Sequence, residues 1–271
     1  MKFNLSKKEA YIMGILNVTP DSFYDGGKYT DEKSIEKKVR EMISNGVDII
    51  DIGAESSRPG SMRISSQEEM KRLVPIVEFI RKFTNIPLSI DSVKSEVINA
   101  LVPYDIQIIN DISAGSDENI ISIAAKNNLY ICIMHMQNNP ENMQNDPRYN
   151  NVTKDIFNYL KEKMTLCINY GVEKDKIIID PGFGFGKTLD HNYTLLKNLD
   201  KFSALSDNIL IGISRKSMIG NLLDKSVDDR LEGSLAATTI SLVNKASIIR
   251  THDVLETKIV SNAIKRIIDA A

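Results

Sequence analysis

Short apolar runs alternate with longer stretches of helical periodicity along nearly the whole chain. The runs predict strands at residues 11–18, 48–52, 88–91, 106–111, 130–134, 177–180, 208–214 and 248–252. Each is brief and rich in Ile, Val and Leu, as strands covered on both faces should be. Between them, Ile35, Val39, Met42 and Ile43 make one apolar helical stripe. Ile156, Leu160, Met164 and Cys167 make another, and Leu231, Leu235, Thr239 and Leu242 a third. Ser66-Gln67-Glu68-Glu69 reads as a capping box that opens a helix. Gly46 and Gly171 stand where helices end and suit left-handed caps.

The pattern predicts eight strand–helix pairs of roughly 34 residues each, close to the size of a (β/α)8 barrel. A faint echo supports it. Ile49-Ile50-Asp51, Ile108-Ile109-Asn110, Ile177-Ile178-Ile179-Asp180 and Ile248-Ile249-Arg250 are isoleucine runs that each meet a polar residue. They fall on every second strand, and alternate strands supply the same layer of a barrel. The expectation is an α/β chain forming one TIM-barrel domain over residues 1–271, with its first strand from about residue 11. A doubly wound open sheet is the alternative.

Composition narrows the class. The chain has 271 residues, 42% hydrophobic and 26% charged, enough for a core that needs no staples. A net charge of −2 argues against a general nucleic-acid binder but leaves room for a local basic pocket. Cys132 and Cys167 lie in apolar periodic segments and read as buried reduced thiols, and no Cys/His cluster has zinc spacing. Residues 1–10 lack an apolar signal core, and no stretch approaches the length of a membrane span. A cytoplasmic protein without a membrane partner is expected.

The chemistry gathers at strand ends. Asn17, Asp51 with Glu55, Asp91, Asn110 with Asp111, Met134 with His135, Asp180, Lys216, and Arg250 with His252 all close or follow predicted strands. In a barrel these point into one crater. Gly186-Lys187-Thr188 resembles the end of a phosphate loop, but that motif needs glycine at position 181, which is Pro181. Lys187 is therefore expected to be solvated. Asp91, Asn110 and Asp180 suit a flat heterocycle with adjacent N–H groups, because a carboxylate accepts two parallel hydrogen bonds. Lys216 offers a donor to the same ring. Arg58, Arg250 and His252 suit a phosphate or pyrophosphate. Asn17 adds an oxygen for a magnesium ion held mostly by phosphate and water. A Schiff-base role for Lys216 is weak, since nothing isolates it from other charge. A metal site on His135 and His252 is weak too, since no histidine pair has fixed spacing. The connections 19–34 and 54–65 are long and polar and read as lids, and the 135–151 loop is also long.

These residues resemble a known family. Gly14-Ile15-Leu16-Asn17-Val18-Thr19-Pro20-Asp21-Ser22-Phe23 with Asp25-Gly26-Gly27 is similar to the first signature of dihydropteroate synthases. Asp51-Ile52-Gly53-Ala54-Glu55-Ser56-Ser57-Arg58-Pro59-Gly60 resembles the second. Further matches are Ile90-Asp91-Ser92, Ile109-Asn110-Asp111-Ile112, Met134-His135-Met136-Gln137, residues 180–187 and 214–220, and Arg250-Thr251-His252-Asp253. They run in family order from about residue 12 to 254.

The resemblance implies a homodimeric (β/α)8 barrel that condenses p-aminobenzoate with 6-hydroxymethyl-7,8-dihydropterin diphosphate, with Mg²⁺ as cofactor. The products are 7,8-dihydropteroate and pyrophosphate, a folate-pathway step and a sulfonamide target. It assigns Asp91, Asn110, Met134, Asp180, Phe185, Lys216 and Arg250 to the pterin. Asn17, Arg58, Arg250 and His252 go to the diphosphate, with Asn17 on the magnesium. Phe23, Ser57, Pro59, Lys216 and Ser217 go to p-aminobenzoate. Catalysis falls to Asn17, Asp91, Lys216, Arg250 and His252. The second signature usually reads Gly-Gly-Glu-Ser-Thr-Arg-Pro-Gly, and here Ala54 and Ser57 replace glycine and threonine. Ser57 keeps a hydroxyl and loses a methyl, which bears on the p-aminobenzoate side. Two rival readings are a corrinoid-dependent methyltransferase acting on methyltetrahydrofolate and a catalytically silent pterin-binding barrel. The first needs no diphosphate donors, and the second should show damage at Asn17, Asp91 or Lys216, where none is visible.

Overall fold

The computed structural model describes residues 3–5, 10–18, 32–56, 61 and 63–270. Within them the order is β1 (Tyr11–Asn17), α1 (Glu32–Ser44), β2 (Ile49–Gly53), α2 (Ser66–Arg81), β3 (Leu88–Asp91), α3 (Ser95–Leu101), β4 (Ile108–Asp111) and α4 (Glu118–Lys126). It continues with β5 (Tyr130–Met134), α5 (Val152–Asn169), β6 (Ile177–Asp180), α6 (Leu189–Lys197), β7 (Leu210–Ile211), α7 (Ser217–Leu223), α8 (Leu231–Val243), β8 (Ile248–Thr251) and α9 (Val254–Ile268).

The eight strands are parallel and run β6-β5-β4-β3-β2-β1-β8-β7. A bridge between Ile179 and Ile209 joins the two ends. The result is a nearly closed (β/α)8 barrel, not an open doubly wound sheet. The strands at 88–91, 130–134 and 177–180 match the sequence expectation residue for residue. β7 is the main departure, two residues instead of seven. The backbone turns after it, and Lys216 N donates to Ile213 O.

Alternation along the strands builds the interior in layers. Ile49, Ile108, Ile178 and Ile248, one from each even strand, sit together in the barrel with Met13, Cys132 and Leu210 from odd strands. Two residues further along the even strands come Asp51, Asn110, Asp180 and Arg250. The isoleucine echo is thus two stacked layers, apolar below and polar above. Tyr130 closes the opposite end, where its hydroxyl accepts from Leu5 N at 3.1 Å and meets Asn4 Oδ1 at 2.8 Å.

The helices cover the outside. Ile35, Val39 and Met42 of α1 are buried, whereas Ile43 is exposed, one position beyond the inward stripe. Ile156, Leu160, Met164 and Cys167 all face inward from α5. Ser65, not Ser66, caps α2, accepting from Glu68 N at 3.2 Å. Glu68 pairs with Arg72 one turn on and Glu69 is buried, so neither side chain closes the expected box. Gly46 and Gly171 do adopt left-handed conformations, with φ of 82° and 94°. In α8 the buried positions are Ser234, Ala237, Thr238, Ser241 and Leu242, while Leu231, Leu235 and Thr239 are only half-buried. Both cysteines are buried and unpaired. No helix among the described residues is long and apolar enough to cross a membrane.

Candidate functional site

The polar layer of the even strands is a bonded set. Arg250 Nε donates to Asp51 Oδ2 at 2.6 Å, and Nη2 donates to Asp91 Oδ2 at 2.9 Å. Asn110 Nδ2 donates to the same Asp51 oxygen at 3.1 Å. That bond assigns the amide orientation and leaves Asn110 Oδ1 as an acceptor for a ligand N–H. Asp51 is fully buried, and its Oδ1 has no partner among the described residues. Sequence reasoning placed Asp51 at a strand end without a role. The structure makes it the hub that orients Arg250 and Asn110. Its place in the isoleucine echo, level with Asn110, Asp180 and Arg250, was a signal of this.

β1, β2 and β3 end in one row. Asn17 is paired in register with Gly53, and Gly53 with Asp91. Asp91 and Asn17 therefore stand on either side of a glycine that adds no side chain between them. Burial pushes the Asp91 carboxyl up to about 7, against the pull of Arg250. Burial also works against the Arg250 charge, but Asp51 and Asp91 outweigh it and hold the guanidinium firmly protonated.

Asp180 ends β6. Its Oδ1 accepts from Gly182 N at 2.7 Å. Burial raises its pKa, opposed chiefly by Lys216. Lys216 sits over the Phe185 ring, 4.4 Å from its centroid, and donates to Phe183 O at 2.5 Å. Burial pulls its ammonium down to about 8, with Asp180 resisting. Met134 and Phe185 pack with Met143, flanked by Ile112 and Met136, as an apolar wall beside these polar groups.

The loop after β6 makes a close approach that only glycine allows. A Cβ on Gly182 would lie 1.9 Å from the carbonyl oxygen of His135, and the residue has φ +72°. Contrary to expectation, Lys187 is not solvated. It is buried, with Nζ 2.7 Å from Gly182 O, 2.9 Å from Phe185 O and 3.1 Å from His135 Nδ1. Burial pushes its ammonium well below the ordinary value, and Asp180 opposes this. Burial, with Lys187 beside it, takes His135 down to about 3, so the ring is neutral.

The remaining expected residues fall in three groups. His252 is exposed just past β8, its Nδ1 3.1 Å from Ser214 Oγ. Ser217 opens α7 and is exposed. Phe23, Ser57, Arg58 and Pro59, and most of the two lid connections, lie outside the described residues. At the root of the second connection, Glu55 and the buried Glu69 both pair with Lys94. Asp111 proves to be local scaffolding, accepting from Ser113 N at 2.8 Å and Gly115 N at 2.7 Å. Among the described residues no group of three His, Cys, Asp or Glu side chains could hold a metal.

Known proteins resemble this chain in sequence and in fold. The family model described as pterin binding enzyme matches residues 13–252. The dihydropteroate synthase of Escherichia coli K12 is 44% identical over 254 residues, covering 94% of this chain and 90% of that protein. A Yersinia pestis dihydropteroate synthase solved as a sulfonamide drug complex superposes with a TM-score of 0.91 at 40% identity, covering 98% and 97% of the two chains. A Clostridium difficile dihydropteroate synthase solved in the presence of pteroic acid gives 0.90 at 36% identity, covering 96% and 97%. The chain belongs to the pterin binding enzymes, in the dihydropteroate synthase family.

Proposed function

We propose that the barrel condenses 6-hydroxymethyl-7,8-dihydropterin diphosphate with p-aminobenzoate, releasing pyrophosphate and forming 7,8-dihydropteroate. The observation that carries the reading is the polar layer, in which Asn110 Oδ1 and the Asp180 carboxylate are acceptors beside the donors Arg250 and Lys216. That set complements a pterin edge, which offers adjacent N–H groups and a ring carbonyl. Asp91, Asn110, Asp180 and Lys216 hold this edge in our reading. Met134 and Phe185 pack against the ring, and Arg250 lies over its face.

The diphosphate falls to Arg250, His252, Asn17 and Arg58. Asn17 contributes one carboxamide oxygen, which suits a cation held mainly by the diphosphate and water rather than by a protein cage. A divalent cation, Mg²⁺ in this reading, neutralises leaving-group charge when bound. Phe23, Ser57, Pro59, Lys216 and Ser217 frame the p-aminobenzoate side. The C–O bond to the pterin methylene breaks first, and pyrophosphate leaves with its electron pair. Arg250 and His252 offset the negative charge that develops there. Asp91 offsets the positive charge on the methylene. The aniline nitrogen then donates its lone pair to form the C–N bond and loses a proton. No covalent bond to the protein is needed.

We also infer a homodimer and a cytoplasmic location, with the chain as one domain. The outward faces of α8 and α9 support the dimer. Ile240, Val243, Leu255, Ile259, Ile267 and Ile268 are exposed there, while Ser234, Thr238, Thr257 and Ser261 face inward. Large apolar side chains outside and small hydroxyl residues inside reverse the usual order, as an interface demands.

The test is turnover. Purified protein with both substrates and Mg²⁺ should release pyrophosphate and form dihydropteroate. Tight pterin binding without release would favour the silent barrel instead.

A further inference from the structure

Lys187 takes part in no step of that mechanism, yet it is buried in the site's wall. Five consecutive backbone oxygens line the loop after β6, and each accepts from a side chain. Gly182 O and Phe185 O accept from Lys187, Phe183 O from Lys216, Gly184 O from Gln144 and Gly186 O from Tyr149. Glycines with positive φ at 182, 184 and 186 turn successive peptides in opposing senses. The loop therefore has no regular ladder, and its buried oxygens need other donors.

Lys187 supplies the largest share of them. Three acceptors lie within 3.1 Å of its single nitrogen, one for each N–H bond of an ammonium, and His135 O stands further off at 3.4 Å. The third acceptor, His135 Nδ1, belongs to the β5 loop. Its ring is held edge-on against Tyr159 and tilted against Tyr149. Lys187 thus ties the β5 and β6 loops together from behind. In front, Lys216 donates to the peptide between the two that Lys187 grips, and it stacks over the Phe185 ring. Asp180 is referenced to the same segment through Gly182 N.

We propose that Lys187 is a positioning residue for the pterin end of the site. By gathering Gly182 O, Phe185 O and His135 Nδ1 on one ammonium, it fixes the loop against which Asp180, Phe185 and Lys216 are set. The proposal rests on the pterin assignment above, and the experiment separates the two. If wild-type protein fails to release pyrophosphate, the functional reading falls, whatever Lys187 does.

With active wild type in hand, Lys187→Met keeps the side-chain length and removes the charge. It should fold, judged by circular dichroism. It should bind the pterin diphosphate at least about tenfold more weakly in calorimetry, while KM for p-aminobenzoate, whose side only Lys216 of that set also frames, rises clearly less. Lys187→Arg should not rescue it, because a guanidinium spreads its donors over three nitrogens. A folded Lys187→Met with wild-type pterin affinity overturns the proposal. So does an equal loss for both substrates, which marks general loosening. If Lys187→Met does not fold, His135→Leu removes the ring acceptor and keeps the carbonyl bonds. A pterin-selective loss there supports the proposal, and unchanged pterin affinity overturns it.

Discussion

Arg250 Nε lies 2.6 Å from Oδ2 of Asp51, a carboxylate wholly cut off from solvent. The pair fixes where the remaining guanidinium nitrogens point. One reaches Asp91. Asp51→Asn keeps the shape and removes the charge. It should lower kcat/KM by roughly 10- to 100-fold, the worth of a hydrogen bond to a charged group. Removing one partner's charge from a buried pair costs about 3–5 kcal/mol, so the denaturation midpoint should fall as well. Steady-state kinetics and urea unfolding read both effects. Unchanged kcat/KM would show that Arg250 needs no orientation from Asp51.

Asp180→Ala addresses the pterin edge directly. The side chain sits at a strand end rather than mid-core, and its one local bond is to Gly182 N. The variant should fold with a stability loss of about 1–3 kcal/mol and bind no pterin detectable by calorimetry. Retained binding would mean that the pterin edge is read elsewhere.

Two titrations bracket the working pH. Asp91, raised to about 7 by burial, must be ionised to offset a cation, so activity is gained as pH rises through that value. Lys216, lowered to about 8 by burial, must be charged to donate, so activity is lost as pH rises through that value. The profile of kcat/KM should be a narrow bell between them. Lys216→Arg stays protonated throughout, and the alkaline limb should vanish whatever the height of the maximum. An alkaline limb that persists in this variant assigns it to another group.

Ile259 is 60% exposed on α9, in the middle of the outward apolar face. Ile259→Glu should convert a dimer to a monomer in sedimentation velocity without disturbing the barrel's circular dichroism. A wild type that sediments as a monomer at micromolar concentration would dispose of the dimer itself.

Much of this was legible in the chain because a parallel barrel writes its layers as repeats. Ile49, Ile108, Ile178 and Ile248 mark one layer, and the polar residues two positions on mark the next. Most strand ends could be read because the short apolar runs stop abruptly, the run at 208–214 being the exception. Lys187 was misread for a physical reason. Its local sequence is a glycine-rich turn, which normally lies in water, whereas its partner His135 is 52 residues away. Glu69 was misread similarly: a residue in the first turn of a helix looks like a cap until Lys94, 25 residues on, meets it. The stripe expected in α8 is only half-buried at Leu231, Leu235 and Thr239, because periodicity reports that a face is covered, not how deeply.

Arg250 belongs to the last strand, and its two carboxylates lie 199 and 159 residues earlier. Ile248 likewise completes a layer whose other members come from β2, β4 and β6. During synthesis the chain therefore makes Asp51 and Asp91 long before Arg250, the guanidinium that pairs with both. Contacts of such long range form late and slowly. Until β8 docks, a nascent chain holds uncompensated carboxylates above an incomplete apolar layer. Closure of the cylinder and completion of its polar layer then both wait for β8.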